Sequence, residues 1–467
     1  MIMIRFIETF TSAVLTPAVM LLLLIAGAAV YTCASPHKVA LCFLKNRKER
    51  GGNSLSATLT ALAGTLGVGN ISGVALAIAY GGCGAVFWMW ISSFFAMAVK
   101  YAEILLASHY RIKEKNGYHG GAPIYLRAAF RGKAGRCLSA FFAALCILAS
   151  LTVGSSVQSL AAAESAKEAF GIPPILTGAA LAVCAFLCTV GGSRRIEKVT
   201  GALVPIMSGA YLILSLYIIL CEFENIPHIL SLIIRSAFGI RPAIGGIGAF
   251  GMLSAVRYGV SRGLISNEAG CGTAPFAHAR AAREPAEQGL FGILEVFIDT
   301  VVLCTATAVC IIAAYGNSVP ADRGGMILVS NAFEKYLGAF APTALCIAVV
   351  MFAYGSIICW YFYATECISM ITGAKWIAPF FSLAFILATA LGSVSGGGVW
   401  LISDVCINLM LTTNTAAVLK ERNTVRRVST RYISSFSSNS AERTEIASSI
   451  RSRGKASAMP HSETEAP

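Results

Sequence analysis

Charge is what this 467-residue sequence lacks most. Asp, Glu, Lys and Arg make up 13% of it, about half the share found in soluble domains. With hydrophobic residues at 56%, that deficit excludes an ordinary soluble protein. Short alternating strands are missing too, because the apolar runs are of helical length, so an outer-membrane barrel is excluded. No CxxC pair occurs among the fifteen cysteines, which argues against a disulfide framework or a zinc site. Cys33, Cys146, Cys184, Cys310 and Cys359 read instead as small apolar packing residues. Histidines number six, and none lies deep in an apolar segment where it would cycle protons. None shares a motif with a carboxylate or nucleophile, so a membrane enzyme has no converging groups to use.

What is present is a series of apolar segments long enough to span a bilayer. They fall at about 11–33, 54–80, 83–107, 138–163, 172–191, 200–221, 242–270, 290–315, 340–371, 376–393 and 397–419. The fold class is therefore an all-α polytopic membrane protein of about eleven helices. The first segment reads as a retained span because a basic loop follows it directly. The net charge of +13 is a topology signal, since nucleic-acid binding would need a folded basic face. Basic residues crowd into alternate loops: His37–Arg50, Arg111–Arg136, Ser193–Lys198, Arg280 with Arg283, and Lys375. The positive-inside rule puts these in the cytoplasm, the N-terminus outside and the C-terminus inside. The Ser-, Arg- and Glu-rich tail 421–467 reads as disordered and cytosolic, with Arg426, Arg427 and Arg431 placed for contact with anionic lipid.

One stretch contradicts its surroundings. "GTLGVGNISG" (Gly64–Gly73) sets four glycines in the middle of the second segment, and each interior Gly costs a helix roughly 1 kcal/mol against Ala. Unwound chain at membrane depth survives only where protein or a cavity surrounds it. There it offers carbonyls to a cation, N–H groups to an anion, and the dipoles of two half-helices. Gly67 and Gly69 allow the backbone to be approached closely. Thr65 and Asn70 add side-chain oxygens suited to a small hard cation. The competing reading is close helix packing through small residues, which leaves Asn70 unexplained.

Gly64–Arg111 resembles the signature region of the alanine/glycine:cation symporter family. "GVSRGLISNEAGCGTAPFAHA" (Gly259–Ala279) is similar to that family's second motif, and Phe297–Val309 and Phe352–Glu366 match further blocks. The resemblance runs from about Thr11 to Leu419. It implies the five-plus-five inverted repeat of neurotransmitter:sodium symporters, with an extra first helix (11–33), a first repeat at about 54–221 and a second at about 242–419. The broken helices of the two halves would be 54–80 and 242–270, the latter interrupted at Ile244–Gly251, Gly259 and Gly263. Carried over, Gly67, Val68, Gly69 and Asn70 meet a substrate carboxylate. The carbonyls of Ala63 and Leu66 face sodium, with Thr65 and Asn70 beside it. Ser356 takes a hydroxyl position shared by substrate and ion, and Trp360 forms an aromatic wall. Gly355 stands where the family has a hydroxyl. Cys83 and Thr413 replace family prolines, and Ala96 replaces a glycine. Ser155, Gln158 and Tyr258 are weaker substrate-site candidates.

Lys100 and Glu103 (i,i+3) can pair, Glu295 and Asp299 (i,i+4) share one face, and Glu268 and Arg262 flank the second motif. These ionisable residues are read as members of structural ion pairs that hold helices together rather than as a proton relay. The expectation is sodium-coupled symport of a small neutral amino acid, alanine or glycine and then serine, across the plasma (bacterial inner) membrane. Proton coupling is the rival. Partners are the amino acid, sodium and the bilayer, with no nucleic acid and no cofactor.

Overall fold

A computed structural model describes residues 10–11, 15–45, 54–114, 117–239, 247–320, 324–371, 376–396 and 398–435. Within them, helices occupy every one of the eleven apolar segments. Seven helices or continuous helical runs have the length and composition of a membrane span: Thr16–Ala34, Ala85–His109, Gly132–Phe170, Gly192–Cys221, Pro285–Tyr315, Gly325–Ile371 and Gly398–Lys420. An eighth is the bent pair Leu55–Thr65 and Val68–Gly81. Pro174–Thr189 and Ile377–Gly392 are shorter, and Ile247–Asn267 carries Arg257 and Arg262. The only strands among the described residues are Ile112–Glu114 and Gly117–His119, paired antiparallel in one loop.

Many of the largest hydrophobics in the Pro174–Thr189, Gly192–Cys221 and Ile377–Gly392 helices point outward, Val183, Ile213 and Phe380 among them. In water this would be a liability; in lipid it is the solvent-facing surface. Ala85–His109 lies at the centre, buried along its last three turns from Ala98 to Ser108. Small residues let neighbours touch it. A Cβ on Gly259 would fall 2.2 Å from the Ala85 carbonyl oxygen, and one on Gly263 would fall 2.9 Å from Met89. Those two glycines were expected to interrupt their helix. They are packing residues in an unbroken one, Ile247–Asn267; Ile244–Gly246 lie outside the described residues.

The interruption comes later, over Glu268–Thr273, before the short helix Ala274–His278. Glu268 (φ 50°), Gly270 (80°) and Gly272 (77°) all adopt left-handed backbone, and helical hydrogen bonding stops there.

The tail also departs from expectation. Residues 422–435 are helical, with Val425 and Ser429 fully buried and Tyr432 nearly so. This i, i+4, i+7 spacing makes one face that packs on the bundle. Ser429 meets Tyr101 at 2.7 Å and Tyr432 donates to Glu287 at 2.9 Å. Arg426, Arg427 and Arg431 lie on the exposed side. Residues 436–467 lie outside the described residues. Of the five cysteines singled out, Cys146, Cys310 and Cys359 are buried, Cys33 is half-buried and Cys184 is exposed.

Candidate functional site

The first interruption bends its helix by 63° at Leu66–Gly67. A single turn of tighter helix, Val68–Asn70, follows before Ser72–Gly81 resumes. The turn is held by side chains because its backbone has left the helical ladder. Gly67 N–H donates to Asn70 Oδ1 at 3.2 Å, and Val68 N–H donates to Gln158 Oε1 at 3.4 Å. Thr307 donates to the Asn70 carbonyl at 2.9 Å. Asn70 Nδ2 reaches across to Asp299 Oδ1 at 2.6 Å. Asn70 is thus the keystone of the turn, its amide oxygen holding the near side and its nitrogen the far side.

Before the break, four oxygens converge. Ser356 Oγ stands 3.4 Å from the carbonyl oxygens of Ala63 and Gly64, and 3.5 Å from that of Leu66. A hydroxyl has one proton to share among three acceptors, and good O–H···O bonds are about 2.7–2.8 Å long. These distances are too long for that. They match another geometry: oxygens about 2.3–2.6 Å from a shared hard cation, at right angles, stand roughly 3.3–3.7 Å apart. Close packing brings the set together, since a Cβ on Gly67 would lie 2.9 Å from Ser356 Oγ and 3.2 Å from Gln158 Oε1.

The second interruption meets the first. Ser266, in the last turn before it, lies against Gly69, whose added Cβ would sit 3.9 Å from Ser266 Cα. Ser266 and Thr300 donate to Asp299 Oδ2 at 3.0 and 2.8 Å. With Asn70 this gives Asp299 three side-chain donors, the environment of an ionised carboxylate, in a residue 1% exposed. A buried negative group beside unwound backbone calls for a cation: a metal ion or a substrate ammonium.

Asp299 and Glu295 were expected to share a helix face. Their partners differ: Asp299, in the π-helical stretch Phe297–Cys304, turns to Asn70 and Ser266. Glu295 turns to Lys100 and His278. Lys100 also faces Glu103 at 3.9 Å, as the spacing suggested. Asp299, Ser266, Thr300, Thr307 and Gly64 are the site residues that sequence reasoning missed. An acid inside an apolar segment was the available signal.

The remaining expected residues divide. Trp360 is buried one turn from Ser356, against Gly154, where a Cβ would fall 2.4 Å from the Trp360 Cβ. Ser155 lies in the π-helical turn Thr152–Ser156 and donates back to Leu151 at 2.9 Å. Thr65, expected beside the cation, instead bonds back to the Ala61 and Leu62 carbonyls. Tyr258, expected near the substrate, stacks on Tyr80. Tyr80 and Gly81 end the second half-helix, roughly 18 Å from Gly69 at 1.5 Å per residue.

At Gly355 an added Cβ finds ordinary contact with Leu203 (3.4 Å) and lies 3.5 Å from the Ala63 carbonyl oxygen. Gly355→Ser should therefore place a further oxygen beside the four. The sodium concentration for half-maximal uptake should fall about threefold to tenfold, as expected for a contact worth up to about 1.4 kcal/mol. A sodium titration of uptake checks this, and an unchanged or raised value counts against the placement.

Toward the end that carries the basic loops, a cavity of about 210 Å³ opens below the first half-helix, lined by Ser56, Thr60, Tyr118, Arg194, Glu197 and Arg280. Arg280 ties Glu197 (3.1 Å) to Glu366 (3.5 Å) across it. His119 on the hairpin meets Glu366 at 3.3 Å, and that hydrogen bond raises its pKa above the ordinary value.

Two interrupted helices meet at buried polar groups inside a lipid-facing helical bundle, the architecture of a polytopic membrane protein. The same fold is seen in a substrate-bound, outward-open Na⁺-coupled sialic acid symporter. That likeness has a TM-score of 0.51 and 14% identity, and covers 86% of this chain and 85% of the other. The chain belongs to the sodium:alanine symporter family, whose model matches residues 2–446. Among its relatives, an uncharacterized transporter of Haemophilus influenzae is 33% identical over 91% of this chain and 96% of its own length. The sodium/alanine symporter AgcS of Methanococcus maripaludis is 34% identical over 82% and 85%. The amino-acid carrier protein AlsT of Bacillus subtilis is 33% identical over 82% and 81%. Membership makes the chain a cation-coupled amino acid symporter.

Proposed function

We propose that the chain carries a small neutral amino acid into the cell together with sodium, alanine or glycine foremost and serine next. The observation that carries this reading is the spacing of Ala63, Gly64 and Leu66 carbonyls around Ser356 Oγ, which suits a small hard cation. The amino acid would lie beyond the break, against Gly67, Val68, Gly69 and Asn70, bounded by Gln158, Ser356 and Trp360. The amides of Gly67 and Val68 are held by Asn70 and Gln158, so a substrate carboxylate competes with these side chains for them. Asp299, with its three donors, is the natural counter-charge for the ammonium. Sodium orders the unwound turn that also binds the amino acid, so each ligand raises the affinity for the other.

Close-packed glycine backbone and the Trp360 wall favour small side chains. Discrimination by size alone is worth roughly 1–3 kcal/mol per methylene, so alanine, glycine and serine are all expected to compete. The N-terminus lies outside and the C-terminus in the cytoplasm of a bacterial inner membrane. The cavity beside Arg194 and Arg280 is then the inner vestibule.

Replacing external sodium with choline at constant pH should abolish alanine uptake into proteoliposomes. Uptake that persists in choline and follows an imposed pH gradient would reject sodium in favour of protons. Uptake that ignores both gradients would reject symport.

A further inference from the structure

His278 lies outside the apolar segments drawn from the sequence, where no histidine was placed deep in a span, yet it is fully buried. It ends the short helix after the second interruption, and both ring nitrogens are engaged. Nε2 pairs with Glu295 Oε1, and Nδ1 lies 2.6 Å from Gln288 Nε2. With Gln288 donating to Nδ1, the ring is neutral and gives its Nε2 proton to Glu295. Rotating that amide by half a turn presents Oε1 instead, which accepts a proton placed on Nδ1. One amide flip therefore accommodates either charge state of the ring.

The surroundings supply a reason for that proton. Lys100 Nζ sits 3.9 Å from both Glu103 Oε1 and Glu295 Oε2 and donates to the Asn267 carbonyl at 3.1 Å. One ammonium thus faces two carboxylates, all three residues at most 1% exposed. Buried charge of one sign is costly, and a proton on His278 balances it. The same groups hold the second interruption on both sides. Lys100 grips Asn267 before it, and Glu103 Oε2 accepts from Gly272 N–H at 3.1 Å within it. Asn414 steadies Glu103 at 2.8 Å and the Gly270 carbonyl at 2.8 Å.

We propose that His278 and Glu295 form a proton-binding site, filled through the vestibule that Ala277 lines, and that this proton sets how firmly the second interrupted helix is clasped. The other ionisable groups around the pair are Lys100 and Glu103 on Ala85–His109 and Tyr363 on Ala341–Ile371, while Glu268 on the interruption accepts from Thr273 at 2.6 Å. The half-helix Ser54–Thr65 contributes none. With the proton bound, His278 and Glu295 are an ion pair and the clasp is tight. Without it, the cluster carries excess negative charge and the segment is freer to move. Low pH on the vestibule side therefore slows turnover, whichever ion drives transport.

The test uses the full chain in liposomes, with sodium-driven alanine uptake followed at vestibule-side pH from about 5.5 to about 8.5, the range that brackets an ordinary histidine. Wild-type uptake should rise about threefold to tenfold across that range, the response of one titrating group. His278→Gln should be flat, and His119→Gln should keep the wild-type profile. A flat wild type, or a His278→Gln variant that keeps the profile, overturns the proposal while leaving sodium symport standing. A second measurement needs no transport: ¹⁵N-histidine spectra of the solubilised full chain, with His278 assigned by its loss in His278→Gln. Its ring signals should change between the two ends of that pH range, and Glu295→Gln should alter that response, because a carboxylate favours the charged ring. A ring that holds one charge state throughout overturns the site. A titrating ring in a protein without sodium-dependent uptake upholds the site and rejects the function proposed above.

Discussion

Asn70→Ala should cut alanine uptake by more than about a hundredfold while leaving the amount of protein in the membrane unchanged. The substitution removes both ends of one bridge: the acceptor for Gly67 N–H and the 2.6 Å donor to Asp299. Each buried polar group left without a partner costs about 1–3 kcal/mol, more where one is charged. Two such losses amount to roughly 3–5 kcal/mol, or about two to three and a half decades in the population of the competent turn. The whole chain is not expected to unfold, because the half-helices Ser54–Thr65 and Ser72–Gly81 keep their own packing. Uptake rates normalised to membrane-inserted protein provide the check. A variant retaining more than about a third of wild-type transport would mean that Asn70 does not hold the site together.

The second large effect belongs to Ser356. Ser356→Ala should raise the sodium concentration for half-maximal uptake by more than about tenfold, the loss of a contact worth about 1.4 kcal/mol or more. The binding of alanine at saturating sodium should change far less. Ser356→Thr keeps the oxygen and should retain much of the wild-type sodium response. The contrast matters because Ser356 also lies against Gly67, so a mere packing role predicts a different ordering. Were packing the cause, alanine would be tolerated better than threonine, which adds a methyl to a crowded position. Sodium titrations of both variants therefore separate an oxygen ligand from a space-filler.

How much of this was legible beforehand varied with the kind of information each feature needs. Low charge and segments of spanning length are properties of composition and order along the chain, so the all-helical membrane fold could be read directly. The first interruption was legible because Gly64, Gly67, Gly69 and Asn70 lie within one short run. Resemblance to a family then pointed from Ser356 back to the carbonyls it faces. Gly64 escaped notice as a ligand because a carbonyl leaves no mark on residue identity.

Other features were invisible for definite reasons. A glycine that unwinds a helix and one that admits a neighbour are the same letter. Gly259 and Gly263 pack against Ala85 and Met89, whereas Gly270 and Gly272 turn the chain. Asp299 and Glu295 looked like one group because they lie at i,i+4, but Asp299 turns to Asn70 and Ser266 while Glu295 turns to Lys100 and His278. His278 and Glu295 stand seventeen positions apart in different elements, so no motif joins them. The helix 422–435 is too polar to be recognised by content alone; it forms where the bundle offers Tyr101 and Glu287 to its narrow buried face. The order of residues alone determined that the chain lies in lipid and where its first helix breaks, since both follow from local side-chain chemistry. Which carboxylate faces the break, where the second helix opens and which histidine is enclosed were decided only by tertiary packing, because each depends on groups from distant segments sharing one water-poor space.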